Sequence, residues 1–320
     1  MKRSIIRNSI LLLVYFQTTV VYAQQPENLK VISYNIWNGF DWGKDEDRRT
    51  KLIQWVKAQN PDVVALQELC GYTESRLLED AKKWGHKYAV ILKEDGYPVG
   101  LTSSKPIQLR EKSRNGLWHG MLHCKTWGVE FFVVHLSPAD LAFRIRESEI
   151  IIEKIKRASD FNPYYMILGD FNSHSPFDGD FDKLHPKQLA RTREGDLKND
   201  KHENLLDGEY DYGVISSFLS VPLIDVCQKY VAAENRFTFP APALVGIWQT
   251  ANEVKENKHR IDFILVSPQL AKRSVDAGVH NGSDTGPLAD HYPVSASFNI
   301  RYVPAIISKS RSTAKTEVLY

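Results

Sequence analysis

Asn35, Glu68, His135, Asp170, Asn172, Asp262, Asp290 and His291 share one setting. Each lies at the end of a short apolar run, in ISYNIW, VVALQEL, FFVVHLSP, MILGDFN, and RIDFILVS followed by ADHYPV. A carboxylate at the end of a buried strand is costly unless it is paired, hydrogen-bonded or bound to metal. One such residue says little, but several in one chain need a common partner. The set holds metal-competent carboxylates and imidazoles, and it contains no Cys/His cluster of the zinc type. Asp170 and Asn172 are two residues apart, so an extended backbone turns both side chains to one side. An acceptor-only carboxylate beside an amide donor can orient a water. Ser173 and Ser175 follow closely, but no strand–turn–helix elbow surrounds them, so no covalent serine nucleophile is indicated.

Such residues need strands to carry them. Residues 29–36 are β-branched and aromatic and predict a strand. Residues 48–60 place Leu52, Ile53, Trp55 and Val56 among charges, the pattern of an amphipathic helix. Pro61 and Asp62 end it, and 63–66 reads as a buried strand. Residues 73–84 predict a second helix. Segments 88–92, 100–103, 107–109 and 117–124 read as strands on short turns, and 128–135 as another. The longest helical pattern is 139–159, with Asp140 as its cap, and 165–168 is a short strand. Residues 173–212 are polar, charged and poor in periodicity, and 240–259 form a second irregular stretch. Stretches of that texture inside a compact chain are usually functional or partly disordered. Strands at 261–266, 275–279 and 294–300 close the pattern. Strand ends are where open α/β architectures hold ligands. No repeat or linker interrupts the chain, so one domain is expected over 24–307, with a polar tail at 308–320.

The order of Asn35, Gln67-Glu68, His135, Gly169-Asp170-Phe171-Asn172, Asp262 and Asp290-His291 resembles the endonuclease/exonuclease/phosphatase superfamily over about residues 29 to 298. That group includes pancreatic-type deoxyribonucleases, abasic-site endonucleases, sphingomyelinases and inositol polyphosphate phosphatases. The resemblance implies an α/β fold, a four-layer sandwich of two mixed β-sheets packed face to face with helices on both outer faces. It implies a metal-dependent phosphoric ester hydrolase. Glu68 resembles the principal metal-binding carboxylate, Asn35 a support of the metal shell or of a phosphate oxygen, and Asp290 a second metal-side carboxylate. Hard oxygen donors suit Mg2+, with Mn2+ or Ca2+ as substitutes. Asp170 resembles the residue that aligns or deprotonates the attacking water, with Asn172 beside it. Asp262 and His291 resemble an Asp–His pair, in which the carboxylate fixes the tautomer and raises basicity. His135 resembles a second active-site histidine, facing a non-bridging phosphate oxygen or the leaving group. Phosphodiester hydrolysis, nuclease-like or sphingomyelinase-like, is the expected activity. Phosphomonoester hydrolysis, and a non-catalytic binding module on the same fold, are the alternatives.

The surroundings bear on the substrate. The inositol phosphatase subgroup has Trp-Cys-Asp-Arg before its catalytic Asp, whereas this chain has Lys258-His259-Arg260-Ile261-Asp262. Lys183, Lys187, Arg191 and Arg193 are scattered rather than arranged as a phosphate track. Trp37, Phe40 and Trp42 could stack on bases or touch lipid equally well. The expected partner is therefore a phosphoester, nucleic acid or phospholipid headgroup, with no protein partner indicated and a monomeric chain. At the N-terminus, Lys2, Arg3 and Arg7 precede an apolar run at 10–16 and the small-residue pattern Val21-Tyr22-Ala23. This is the pattern of a signal peptide over 1–23, cleaved near Ala23/Gln24, and it predicts a secreted or periplasmic protein. Its removal takes three of 41 basic residues and none of the 39 acidic ones, leaving the chain near neutral. Cys70, Cys124 and Cys227 are too few for a disulfide scaffold, although one pair could bridge.

Overall fold

The computed structural model describes residues 27–300; the expected signal peptide and the polar tail lie outside them. Strand parity organises the chain. In β1 (Glu27–Asn35), Leu29 and Val31 enter one apolar cluster while Ile32 and Tyr34 enter another. The strands β2 (Val63–Gln67), β3 (Tyr88–Ile91) and β4 (Gly100–Ser103) follow, then β5 (Gln108–Ser113), β6 (Met121–Thr126), β7 (Val129–His135) and β8 (Tyr165–Asp170). The short β9 (Ile224–Asp225) precedes β10 (Asp262–Val266), β11 (Ser274–Val279) and β12 (Val294–Ile300). They form two six-stranded sheets, ordered β11-β12-β1-β2-β4-β3 and β5-β6-β7-β8-β10-β9. Each sheet is antiparallel except for one central parallel pair, β1 with β2 and β7 with β8. A parallel pair needs a long crossover; helices Glu46–Gln59 and Leu141–Ser159 supply the two.

The layers follow from the clusters. Val31, Val63, Ala65 and Phe298 of the first sheet meet Phe131, Val133, Met166, Leu168 and Ile264 of the second. On the outer face of the first sheet, Ile32, Tyr34, Val64 and Leu66 pack against Leu52, Val56, Leu77 and Ala81 of helices Glu46–Gln59 and Glu74–Lys83. On the outer face of the second, Phe132, Ile167, Phe263 and Leu265 pack against Ile151, Ile155, Val214 and Phe218 of Leu141–Ser159 and Gly213–Ser220. This is the helix–sheet–sheet–helix sandwich that the resemblance implied. The caps are local: Asp45, Thr73 and Asp140 accept from Arg48, Arg76 and Phe143 N–H at 3.0, 3.1 and 2.6 Å.

Three expectations change. The strand expected over 117–124 begins only at Met121, because Gly120 has φ +95° and Glu147 captures the Trp118 N–H at 2.7 Å. The stretch 173–212 contains the helices Gly179–Lys183 and Pro186–Leu197, and 240–259 contains Ala251–Glu256, started by a Thr250/Glu253 capping box. All three cysteines are buried free thiols, so no pair bridges.

Candidate active site

Parity also carries the functional side chains to one place. Asn35 is in phase with Leu29 and Val31, His135 with Phe131 and Val133, Asp170 with Met166 and Leu168, and Asp262 with Ile264 and Val266. Each therefore points between the sheets, at the strand end where apolar filling stops. The register aligns them, since Asp170 pairs with His135 on β7 and with Asp262 on β10. Antiparallel β12 runs beside β1, with Ser33 opposite Val294, which brings Asp290 and His291 to the same edge. Gly169 makes the approach possible: its φ is +143°, and a Cβ there would lie 1.9 Å from the Val134 carbonyl oxygen.

Asp170 Oδ2 is the hub. Asn35 Nδ2 donates to it at 3.1 Å, and the Nε2 atoms of His135 and His291 lie 3.5 and 3.7 Å away. His291 Nδ1 lies 2.9 Å from Asp262 Oδ2, so the imidazole bridges two carboxylates. Thr238 steadies the start of β10, its hydroxyl accepting from the Ile261 and Asp262 N–H groups. Burial disfavours charge on His291, but Asp262, Asp290 and Asp170 outweigh it and hold the imidazole well above its usual range. Burial raises the Asp170 carboxyl, and His291 partly offsets this. His135 behaves oppositely: burial, His119 and His291 push it well below its usual range, so it is neutral. The His119 ring stacks on it, with centroids 4.2 Å apart.

A second group of carboxylates faces this hub. Burial, with Glu68 adding to it, raises the Asp290 carboxyl against the pull of His291, and Asp290 Oδ1 is buried with no hydrogen-bond partner. Glu68 Oε1 accepts from Asn35 Nδ2 at 3.2 Å and Oε2 from the Asn38 N–H at 2.7 Å. The Asn35 amide nitrogen thus joins Glu68 to Asp170, while its oxygen accepts from the Trp37 N–H at 3.1 Å. Beyond Asn35 the chain turns left-handed, with φ of 51–63° from Trp37 through Trp42. That conformation costs roughly 1–2 kcal/mol per non-glycine residue. Arg48 offsets part of it, its guanidinium donating to the Ile36, Trp37 and Leu288 carbonyls at 2.9, 2.9 and 3.0 Å. Gly39 sits in the turn against the Cys70 backbone, where no Cβ fits. Trp37 packs edge-on against Trp248, and Trp42 is half exposed beside Tyr97.

All eight expected residues thus gather at one edge of the sandwich, but Asn172 is turned differently. Its φ is +47°, its N–H donates to Asp170 Oδ1 at 2.9 Å, and its amide nitrogen donates to the Leu136 carbonyl at 3.0 Å. The strand ends at Asp170 in a side-chain-capped turn, so the two side chains do not project together from an extended segment. Asp170, Asp262 and His291 offer donor atoms within 4.8 Å of one another, a spacing open to a metal. Within this group His291 Nδ1 and Asp262 Oδ2 are hydrogen-bonded directly, while Asp290 Oδ1 nearby is the buried carboxylate oxygen left without a hydrogen-bond partner. Sequence reading missed Arg48, Thr238, His119 and Glu147. The last pins the Trp118 and Ser137 N–H groups at 2.7 and 2.8 Å, and burial pushes its carboxyl up to about 7.

Solved structures share this fold. An AP endonuclease from Archaeoglobus fulgidus superposes with a TM-score of 0.58 at 20% identity, covering 85% of this chain and 100% of that one. The 3'-5' exonuclease NExo from Neisseria meningitidis superposes at 0.60 with 19% identity, covering 85% and 100%. The 3' phosphatase NExo from Neisseria, bound to a product DNA hairpin, gives 0.61 at 19% identity, covering 84% and 99%. No curated protein matches the sequence. The Endonuclease/Exonuclease/phosphatase family matches residues 32–291, which takes in every residue of the site. The chain belongs to that family, and with it to the metal-dependent phosphoester hydrolases.

Proposed function

We propose that this protein hydrolyses phosphodiesters with an activated water and Mg2+, and that it does so outside the cytoplasm. The observation that carries the chemistry is the Asp262–His291–Asp170 line, 2.9 and 3.7 Å between successive groups, with the neighbouring Asp290 holding one buried oxygen that has no hydrogen-bond partner. Glu68 and Asp290 would hold the ion, because two close carboxylates with an orphaned buried oxygen are costly without a cation. When bound, the ion supplies charge neutralisation to the phosphoryl group and the leaving oxygen.

The protein's own groups do the rest. Asp170, raised by burial, is the acceptor for a proton of the attacking water. His291, charged between its carboxylates, donates from Nε2 towards a phosphoryl oxygen and is kept in orientation by Asp262. His135 stays neutral and offers an uncharged imidazole 3.5 Å from Asp170 Oδ2. Asn35 keeps Glu68 and Asp170 at a fixed separation. A nucleic acid strand is the favoured substrate: similar folds belong to an AP endonuclease and to a 3'-5' exonuclease, and a third is bound to DNA. The half-exposed Trp42 and Trp248 offer faces on which bases stack. The N-terminal pattern of residues 1–23 supports export. The test is hydrolysis of a bis-aryl phosphodiester with Mg2+ and with EDTA, followed by single-stranded DNA, RNA and sphingomyelin. Turnover that survives EDTA, or none on any diester, overturns the proposal.

A further inference from the structure

A cavity of about 220 Å³ opens beside Asn172, walled by the segment after the catalytic Asp170 and by helix Leu141–Ser159. Two of its lining residues carry buried polar atoms that nothing in the protein satisfies: Arg144 Nε and Ser173 Oγ. Arg144 is 3% exposed and Ser173 4%. The guanidinium donates to the Ser137 carbonyl at 3.0 Å, to Asn204 Oδ1 at 2.9 Å and to the Asn204 carbonyl at 3.1 Å. All of these partners are neutral. An arginine stays charged even when buried; Asp211 and Glu147 act on this one through space, but no carboxylate hydrogen-bonds it and its Nε has no partner. Asp211 also lines the cavity, but its oxygens accept from the Gly213 and Val214 N–H groups at 3.0 and 3.1 Å. In the cavity lining, the ring of His174 stacks on Tyr210 with centroids 3.8 Å apart. The space is polar, flanked by a cation that no carboxylate hydrogen-bonds, and adjoins the reacting centre.

We propose that this cavity is a second anion subsite, in which Arg144 and Ser173 take a non-scissile phosphate of the substrate next to the phosphoester that is cleaved. The inference rests on the phosphodiesterase reading and narrows it to substrates carrying a further phosphate. Guanidinium N–H groups match phosphate oxygens in geometry and charge. The Ser173 hydroxyl adds a donor that is idle in the free protein. A lipid with a single phosphate leaves both groups unused.

The experiment uses matched substrates on the full protein with Mg2+. One pair is a thymidine dinucleotide with and without a terminal phosphate, at either end. The other is glycerophosphoinositol with and without a ring phosphate. The first arm reports a nucleic acid source of the anion and the second a small-molecule source. In the wild type the extra phosphate should raise kcat/KM in one arm about 10-fold or more, as expected for a charged hydrogen bond. Arg144→Gln should bring that ratio towards one, and Ser173→Ala should lower it by less. Arg144 also clamps the Asn204 segment, so Arg144→Gln can fail to fold. Ser173→Ala removes no bond and then decides alone. Calorimetry with inorganic phosphate in EDTA gives a readout without turnover, with binding in the wild type, weaker binding in Ser173→Ala and loss in Arg144→Gln. A wild-type ratio near one in both arms overturns the subsite, as does phosphate binding that neither variant changes. If even the bis-aryl diester is untouched, the phosphodiesterase reading falls instead, and the phosphate titration still judges the subsite.

Discussion

Replacing Asp262 by asparagine keeps the shape of the Asp262–His291 pair and removes its charge. The bond is 2.9 Å long, and both groups are almost wholly buried, so solvent cannot substitute for the lost carboxylate. A hydrogen bond to a charged partner contributes roughly 1.5–3 kcal/mol, which is about 10- to 150-fold in rate if it is fully expressed in the transition state. The expected result is a fall in kcat within that range for Asp262→Asn and a similar or larger fall for His291→Ala. The double variant should be little worse than the more severe single. The pH profile gives a second readout. Burial alone would lower the His291 pKa, and Asp262 is the first of the carboxylates that raise it. Its loss therefore moves the histidine-dependent limb to lower pH. Stability has the same sign. A folded pKa raised above the unfolded value stabilises fully below about pH 6.5, and the benefit fades as pH rises through the folded value. The Tm difference between wild type and Asp262→Asn should thus be largest in mild acid and shrink towards alkaline pH. Multiplicative rate losses with an unmoved profile would refute the pairing.

Glu68→Ala should fold but lose nearly all turnover and weaken Mg2+ binding by calorimetry; an unchanged affinity would remove Glu68 from the metal site. Gly169→Ala places a Cβ 1.9 Å from the Val134 carbonyl oxygen at a φ of +143°, so a loss of about 3 kcal/mol or more is expected in denaturant unfolding. Arg260→Met strips the buried carboxylates of Asp178 and Asp225 of a partner held at 2.6 Å from each, and should cost about 3–5 kcal/mol. Mass spectrometry of the secreted or periplasmic fraction should find an N-terminus at or near Gln24, whereas an intact Met1 in a membrane fraction would indicate a retained anchor.

The strands and their polar ends were legible because burial on one face leaves a period of two, and Asn35, His135, Asp170 and Asp262 each continue the inward phase of their strand. Helix Pro186–Leu197 left no such trace, since none of its residues is buried and nothing apolar repeats. Arg48 and Arg144 escaped for a related reason. On a helix an arginine reads as part of a solvated face, and only the assembled structure reveals that carbonyls from Ile36, Leu288 and Ser137 converge on these two. The left-handed turn after Asn35 was hidden too. Trp37, Phe40, Asp41 and Trp42 are poor residues for positive φ, and only Asn38 and Gly39 hint at it. Tertiary contacts with Glu68, Arg48 and Cys70 override local preference there.

The pairing of β12 with β1 has a consequence for when activity arises. The last described strand is the immediate neighbour of the first, and Asp290 and His291 come only a few residues before it. A growing chain can assemble helices and much of the second sheet early, as domains do during synthesis. It cannot bring Asp290 and His291 into place, or finish the sheet that carries Asn35 and Glu68, until some 300 residues have emerged. Closing contacts so far apart in sequence is slow. Refolding should therefore show secondary structure well before turnover, and any fragment that stops short of β12 should be inert however well it folds.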